Sequence, residues 1–474
     1  MNLEFLLFLS LKKFKLILYM QNNILDRQRG TWKWGLLCLA FLAPFFFLTY
    51  GFANQYASSL SYVPSIVFAW EKHIPLWAWS IVPYWSIDLF YGLSLLLCWN
   101  KFELQQHVLR LFSAQLISIS CFLIYPLKFS FERAELDGFF GLWFDVLMGF
   151  DKPFNQAPSL HIVLLVIIWD FYRRHIKTSY RWLVHAWSFL IGLSVLTTWQ
   201  HHFIDIPLGL VAGAFCLWLF PLTVTAPYHK QVVQTFTFKH FKLGSYYLIG
   251  ALLCTAAALL LQGTWLWLLY PAMSLLFVAL AYFWVRPHFF QKQANGQMSV
   301  AAWLIFAPYF LVAWLNSRLW TYKHPQDSLV LQVQGIELYL GRIPSAKYAD
   351  NYQGLFDCCA ELPVCNGQHY AQCTVLDLIP IQSTQLHEVV QQFDQFIQPL
   401  MQHQQPQKAL IFCALGYSRS CSVLIAWLLQ QRYVATVEDA IALIQQSRPW
   451  IVLNAVHIAE IQRFQLLLAQ EIQQ

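Results

Sequence analysis

The decapeptide IFCALGYSRS, residues 411–420, contains the residues best suited to chemistry. Cys413 and Arg419 lie six positions apart, between an apolar run KALIFC that predicts a buried strand and a predicted helix. A loop that enters a helix turns its backbone N–H groups toward an anion, which lowers the pKa of a thiol at its base. Arg419 can offer two parallel N–H bonds to phosphate oxygens, and Ser420 can hydrogen-bond the thiolate. The backbone positions predicted to hold phosphate are Ala414, Leu415, Gly416, Tyr417 and Ser418.

This stretch resembles the cysteine-dependent dual-specificity phosphatase family, with further similar segments from LYLGRIPS at 338–345 to SRP at 447–449. The resemblance implies two in-line displacements without metal or cofactor. Cys413 would take the phosphoryl group while Asp377 protonates the leaving alcohol, and water would then hydrolyse the phosphocysteine. Asp394 is a weaker alternative acid. The family normally has His where this chain has Phe412, which leaves the size of the thiol pKa shift open.

A second set of polar residues lies in two loops between apolar segments, at 128–161 and 197–205. His201 and Asp205 have the i, i+4 spacing that places both on one helix face, so that the carboxylate can orient the ring. His161 begins another predicted helix and supplies a second imidazole. Such a set predicts phosphoryl transfer without metal, whereas His202 points to another face.

These loops resemble the type 2 phosphatidic acid phosphatase superfamily, including its sphingomyelin synthase-like branch, over about residues 75–225. The resemblance rests on the sequence PSLH at 158–161 and on His201 with Asp205. It implies His201 as nucleophile, Asp205 as its orienting group and His161 as general acid. The residues implied to bind phosphate are Ser159, Lys128 and Arg133, with Lys152 as a possible substitute for missing cations. Leu160 replaces a usual Gly and Val195 a usual Arg, which favours a transferase or a bulkier phosphodiester substrate.

The composition predicts how these residues are positioned. Apolar residues make up 58% of the 474 positions and charged residues only 11%, against about a quarter in soluble proteins. Apolar segments long enough for membrane spans occur near 32–53, 78–98, 108–127, 160–172, 182–200, 203–224, 245–262 and 264–285. A ninth run at 300–316 contains Pro308, and it could cross, re-enter or lie in the interface. We therefore expect an N-terminal all-α multi-pass membrane helix bundle.

After the apolar part, short β-rich runs alternate with helical ones, which predicts an α/β domain with a largely parallel sheet. The expected divisions are an interfacial or cytoplasmic segment 1–30, a membrane domain 31–317, a linker 318–330 and a phosphatase domain 331–474. Basic clusters fall between apolar segments as positive-inside topology requires, so nucleic acid is not expected as a partner. An inside N-terminus and eight spans would place residue 413 in the cytoplasm.

The sequence thus predicts a membrane-bound phosphatase that acts on monoesters through phosphocysteine, with a second histidine-based lipid phosphatase or transferase site. The resemblance as a whole is to bacterial fusions of the two families, which implies an inner membrane. Expected partners are membrane lipids and a phosphorylated lipid or phosphoprotein substrate. The alternative is a membrane-anchored phosphate-binding module in which one or both sites are inactive. Retention of both Cys413 and Asp377 argues against that alternative, because a binder needs neither nucleophile nor acid.

Overall fold

The computed structural model describes residues 26–133, 135–229, 235–364 and 369–473. The chain forms two compact units that divide between Ala226 and Pro227. The sequence predicts a membrane domain that ends at residue 317. The helices within 238–320 lie in the same compact unit as the C-terminal sheet. The expected N-terminal segment 1–30 lies largely outside the described residues.

The described part of the first unit is helical. Its helices are α1 (Thr31–Ser59), α2 (Ile81–Leu96), α3 (Lys101–Ile124), α4 (Gly138–Phe150), α5 (Leu160–His175), α6 (Arg181–Thr197) and α7 (Asp205–Leu219). Helices α5 and α7 pack closely, because a Cβ at Gly209 would lie 2.7 Å from the Cβ of Ile162. This approach places the N-terminal ends of α5 and α7 side by side, where the amide of Ser159 donates to the carbonyl of Asp205 at 3.2 Å.

Five helical segments of the described residues are long and apolar enough to cross a membrane. They are Thr31–Ser59, Lys101–Ile124, Phe238–Leu261, Gly263–Phe283 and Val300–Trp320. Four of them coincide with predicted spans, and the fifth is the ninth apolar run, which stays helical through Pro308. The other four predicted spans form helices of 16, 16, 17 and 15 residues, shorter than the roughly 20 that a straight span needs. Their crossing of a membrane remains a prediction.

The second unit begins with three apolar helices and continues into an α/β domain. The apolar helices are α8 (Phe238–Leu261), α9 (Leu269–Phe283) and α10 (Val300–Trp320). The elements that follow are β1 (Ser328–Val333), β2 (Ile336–Arg342), α11 (Ala346–Ala349), β3 (Gly354–Cys359), β4 (His369–Val375), α12 (Ser383–Met401), β5 (Gln407–Cys413), α13 (Arg419–Gln430), α14 (Val437–Ser447) and α15 (Ala455–Gln473). The expected alternation of strands and helices is confirmed.

The five strands form one sheet in the order β1-β2-β5-β3-β4. Strands β2, β5, β3 and β4 run parallel, and β1 joins the edge antiparallel to β2. The predicted largely parallel sheet is therefore confirmed. Strand β5 is central and ends at Cys413, so its carboxyl end has neighbouring strand ends on both sides. Loops at this edge of a parallel sheet are where ligand sites form.

Apolar side chains cover both faces of the sheet. On one face α12, α13 and α15 pack against the strands, with Trp427 of α13 edge-on to Phe393 of α12 at 5.4 Å. On the other face a smaller cluster contains Leu355, Leu410 and Phe412, and Ala313 of α10 packs against it. The sheet thus lies between α12, α13 and α15 on one face and the smaller cluster, with α10 packed against it, on the other.

Candidate active site

The loop after β5 has a conformation that requires glycine at one position. Gly416 has a φ of +70°, and a Cβ there would lie 2.2 Å from the carbonyl oxygen of Gly341. The buried guanidinium of Arg448 donates to the carbonyls of Gly416 at 2.9 Å and Leu415 at 3.3 Å. Because these carbonyls bind Arg448 on the outside of the loop, the backbone N–H groups are free to point inward.

The thiol of Cys413 lies at the base of this loop and accepts two hydrogen bonds. The amide of Gly416 donates to Sγ at 3.2 Å and the hydroxyl of Ser420 at 3.4 Å. Burial opposes ionisation, yet Arg419, the Ser420 hydroxyl and the amides of Ser420 and Leu415 together lower the pKa of Cys413 below its ordinary value. A lowered pKa increases the fraction of thiolate, and thiolate is the nucleophilic form of cysteine.

Arg419 is the first residue of α13, and its side chain is almost fully buried. Its two terminal nitrogens form a paired bond to Glu361, at 2.8 and 2.6 Å. They also donate to the carbonyl of Val375 at 2.8 Å and to Asp377 at 2.7 Å. Among the described residues these bonds use all four terminal N–H groups, which leaves the Nε–H for a ligand.

Asp377 follows β4, at the same edge of the sheet as the thiol loop. Its backbone carbonyl accepts a hydrogen bond from the hydroxyl of Tyr282 of α9 at 3.0 Å. Burial raises the pKa of Asp377, Arg419 opposes the rise and Glu361 adds to it. The side chain remains 28% exposed, so water limits the size of this rise. A carboxyl with a raised pKa near a buried anion site is suited to give a proton.

The sequence also singled out Phe412, in place of the usual His, and Asp394, as an alternative acid. Phe412 is fully buried in the smaller apolar cluster, where it packs with Leu355 and Leu410. Asp394, the weaker alternative acid, accepts hydrogen bonds from Trp427 at 3.2 Å and Gln431 at 2.7 Å. These partners lie toward the C-terminal end of α13, two or more turns from its beginning at residue 419, so Asp394 is not near the loop.

Comparison with known proteins adds an independent finding. Residues 338–466 match the family model described as the catalytic domain of dual specificity phosphatases. They form a dual specificity phosphatase domain. The protein is accordingly a phosphoric monoester hydrolase through this domain, which acts on phosphorylated substrates. A search of curated proteins for relatives of the chain found no match.

Solved structures similar to the chain cover the same C-terminal part. PTPMT1 in complex with PI(5)P is 18% identical, covers 28% of this chain and 94% of its own, and has a TM-score of 0.25. A leucine rich repeat and phosphatase domain containing protein from Entamoeba histolytica is 17% identical over 32% of this chain and 98% of its own, with a TM-score of 0.25. Human DUSP28 is 15% identical over 30% and 99%, with a TM-score of 0.24. Likenesses of this size say nothing about the substrate.

Glu361 of the phosphatase domain was not predicted from the sequence. It lies two residues beyond the end of β3, whose residue Asp357 is paired with Phe412 of β5. The register therefore carries Glu361 alongside the loop, and Arg419 lowers the pKa of this buried carboxyl against the effect of burial. An acidic residue near the end of the predicted strand run LFDCCAEL is the sequence signal that could have found it.

In the first unit the structure brings part of the predicted histidine set together. Nδ1 of His201 lies 3.2 Å from Oδ2 of Asp205, and both side chains are buried. Asp205 begins α7, so His201 lies in the turn before the helix and not in its first turn as expected. His161 lies at the start of the adjacent α5, stacked on Tyr84 at 4.1 Å. Among the described residues its Nε2 has no hydrogen-bond partner.

The predicted phosphate-binding residues of the first unit have other partners or are exposed. Ser159 is buried and caps α5, with its hydroxyl accepting from the amide of Ile162 at 3.4 Å. Arg133 donates to the carbonyl of Trp199 at 2.9 Å. The side chains of Lys128 and Lys152 are exposed.

His202 is held by Glu71, whose carboxylate lies 2.9 Å from Nδ1. Its other ring nitrogen, Nε2, accepts from the amide of Ser130 at 3.1 Å. Because both of its ring nitrogens make these contacts, His202 stabilises the loop that begins at residue 128.

Proposed function

We propose that the protein is a membrane-bound phosphatase that hydrolyses phosphate monoesters through a phosphocysteine at Cys413. The observation that carries the proposal is the thiol itself, which lies at the base of an anion-binding loop and accepts hydrogen bonds from Gly416 and Ser420. Against the effect of burial, Arg419, the Ser420 hydroxyl and the amides of Ser420 and Leu415 lower its pKa. A buried structural cysteine would have its pKa raised, as the neighbouring Cys421 has. The loop also lies within residues 338–466, which match the dual specificity phosphatase model.

In the first step the thiolate attacks phosphorus and the bond to the leaving oxygen breaks. Asp377 gives its proton to that oxygen, which its raised pKa favours. The phosphate oxygens bind the loop amides and the Nε–H of Arg419. The N–H that Arg419 now donates to Asp377 becomes a second donor once Asp377 is protonated and turns toward the substrate.

In the second step water attacks the phosphocysteine and Asp377 takes a proton from it. The sulfur leaves as thiolate, and the Ser420 hydroxyl at 3.4 Å stabilises the charge that forms there. Glu361 keeps the guanidinium of Arg419 in one orientation through both steps. Because Phe412 is buried among apolar side chains, the loop donors and Arg419 supply the anion stabilisation.

The test is the release of phosphate from p-nitrophenyl phosphate by the full chain in detergent. Cys413→Ser should lower kcat/KM by about 10⁴-fold or more, because the nucleophile is lost. Cys421→Ser, which changes a buried cysteine of α13, is the matched control and should retain activity. Acid quenching of the Asp377→Ala variant followed by mass spectrometry should detect phosphate on Cys413. Unchanged activity in Cys413→Ser would overturn the proposal and favour the alternative of a phosphate-binding module.

A second candidate function belongs to the first unit: histidine-based hydrolysis or transfer of a lipid phosphate. It is supported by the buried His201–Asp205 pair and by Nε2 of His161 on the adjacent helix, which has no hydrogen-bond partner in the part of the chain that the structure describes. In this mechanism His201 attacks phosphorus and His161 protonates the leaving oxygen. The alternative is a membrane anchor that retains these residues without activity.

His201→Ala and Cys413→Ser, each alone and together, separate the two sites. The substrates are phosphatidate, phosphatidylglycerophosphate and a phosphotyrosyl peptide. Loss of one lipid activity in His201→Ala alone would assign it to the first unit. If His201→Ala leaves every lipid activity intact, the first unit is an anchor.

We further propose a bacterial inner membrane as the location, with the phosphatase domain in the cytoplasm, where a thiolate stays reduced. The apolar helices support a membrane location. Fusion of green fluorescent protein to the C-terminus should give fluorescent cells, whereas an alkaline phosphatase fusion there should be inactive. The opposite pair of results would place the domain outside.

A further inference from the structure

The catalytic loop of the phosphatase domain is bonded directly to α10. The hydroxyl of Ser317 donates to the carbonyl of Ala414 at 2.6 Å, and the hydroxyl of Tyr417 donates to the carbonyl of Trp320 at 2.9 Å. The acid loop is held in the same way by α9, through the bond from Tyr282 to the carbonyl of Asp377. Both halves of the proposed chemistry are therefore fixed to apolar helices and not carried on a flexible linker.

Helix α10 runs along the phosphatase domain. Just before its start, the carbonyl of Gly296 accepts from the amide of Val364, and Lys292 forms an ion pair with the buried Asp357. At its other end Ser317 reaches the catalytic loop. Ser317 lies 18 positions after Ser299, which corresponds to about 27 Å along a helix, close to the thickness of a bilayer core of about 30 Å. A helix that crossed the bilayer would carry its ends to opposite sides, yet both ends of α10 contact one domain.

The face of α10 turned away from the domain is apolar. One side of the helix packs inward through residues such as Phe306 and Tyr309. The exposed large side chains on the opposite side are Trp303, Leu311, Val312, Trp314, Leu315 and Leu319. The neighbouring segments Phe238–Leu261 and Gly263–Phe283, which contain α8 and α9, are also apolar and long enough to cross a membrane. Helix α8 exposes large apolar side chains such as Leu252, Leu253 and Leu260. Lipid is the occupant that suits a surface continuous with such helices, so α10 lies in the plane of the interface.

The residues around the mouth of the loop have the composition of a lipid–water interface. Trp320 is 68% exposed and is followed by the exposed Tyr322 and Lys323. Arg318 donates to the carbonyl of Ile343, and Arg342 donates to the hydroxyl of Thr321, the residue directly after α10. Tryptophan, tyrosine and basic residues at one level are typical of contact with anionic headgroups.

We propose that the substrate of the Cys413 site is a phosphomonoester lipid of the membrane in which the chain is embedded. This inference rests on the proposed phosphocysteine function. The thiolate of Cys413 bonds to phosphorus, the bond from phosphorus to the lipid oxygen breaks, and the proton of Asp377 passes to that oxygen. Water then releases inorganic phosphate and restores the thiolate. The neutral lipid alcohol stays in the bilayer, and only phosphate enters the water.

The test uses the full chain carrying His201→Ala, so that the first unit adds no lipid activity, in nanodiscs or vesicles of phosphatidylcholine. Substrates are phosphatidate in the bilayer, glycerol 3-phosphate in solution and a phosphotyrosyl peptide, with p-nitrophenyl phosphate as the measure of active thiol. We expect kcat/KM for phosphatidate to exceed that for either soluble substrate by about tenfold or more, because membrane confinement raises its effective concentration. All of this activity should disappear in Cys413→Ser.

Leu319→Glu tests the membrane-facing side of α10, since Leu319 is 74% exposed. It should lower phosphatidate hydrolysis by about tenfold, because a carboxylate is poorly accommodated beside lipid, and leave p-nitrophenyl phosphate hydrolysis unchanged. Leu466→Glu, at a 65% exposed leucine of α15, is the matched control and should change neither rate.

Equal or faster turnover of the phosphotyrosyl peptide than of phosphatidate would overturn the lipid proposal while the cysteine mechanism stands. Aryl phosphate release that persists in Cys413→Ser would instead overturn the mechanism itself. The substrate comparison does not depend on any α10 variant, so a failure of Leu319→Glu to fold would leave it decisive.

Discussion

The cysteine site and the histidine region of this protein differ in how far apart their residues lie in the sequence. Cys413, Arg419 and Ser420 lie within eight residues, and the strand, loop and helix that contain them bring their side chains together. The histidine set is drawn from three loops, at 128–133, 158–161 and 199–205. Its pair His201–Asp205 is local and forms, whereas its distant cations bind elsewhere or face solvent. A compact motif fixes its own geometry, and a dispersed one depends on how its loops pack.

The largest expected difference between the two regions concerns their arginines, Arg419 and Arg133. Arg419→Lys should lower kcat/KM for p-nitrophenyl phosphate by about 10³-fold, because an ammonium cannot replace the paired guanidinium bonds. Arg133→Lys should change phosphatidate hydrolysis in the Cys413→Ser background by about twofold or less, because Arg133 donates to the Trp199 carbonyl. Both are measured by steady-state kinetics. A large loss in Arg133→Lys would mean that substrate binding rearranges the histidine region and would break the comparison.

The acids of the two regions should differ in their effect on pH dependence. The reactive form of the phosphatase domain has Cys413 ionised and Asp377 protonated, so kcat/KM should rise through the thiol pKa and fall through the raised carboxyl pKa. Asp377→Asn should reduce the rate by about 10²-fold and remove the fall on the alkaline side. Asp205→Asn is the control and should leave this profile unchanged. Persistence of the alkaline fall in Asp377→Asn would assign the acid to another group.

A substitution of Glu361 tests whether the carboxylate that holds Arg419 contributes to activity in the cysteine site. Glu361→Gln should raise KM and lower kcat/KM by about tenfold, because the guanidinium loses its paired anion and its fixed orientation. Glu337→Gln, at a surface pair with Lys408, should have no effect. Thermal melting of both variants shows whether any loss comes from unfolding. An unchanged KM with reduced stability would make Glu361 structural only.

The smallest effects concern the two serines. Ser420→Ala should slow the second step by about threefold and increase the phosphocysteine detected after quenching, because one hydrogen bond to sulfur is lost. Ser159→Ala should instead lower the stability of the first unit by about 1 kcal/mol, as expected for the loss of a helix cap. A loss of lipid activity without a loss of stability in Ser159→Ala would restore its predicted phosphate role.

Much of the phosphatase domain could be predicted because its signals are local. The β-rich and helical runs that alternate after the apolar part of the sequence correspond to the five strands and to α12, α13 and α14. The helix α15 was not predicted, although its buried residues His457, Ile461 and Phe464 recur at helical spacing. Four predicted spans form helices too short to cross straight. In three of them, apolar loop residues such as Trp199 and Phe203 extended the apolar runs beyond the helices.

The sequence by itself determined the nucleophile loop, because seven consecutive residues and the helix they enter set its geometry. It also determined the alternation of strands and helices and the apolar character of the segments before them. Only the tertiary structure decided that Glu361 holds Arg419 from 58 residues away and that Tyr282 holds the acid loop from 95 residues away. It also decided that α10 contacts the phosphatase domain at both ends. Such contacts depend on strand order and helix packing, which are properties of the whole unit and not of any one segment.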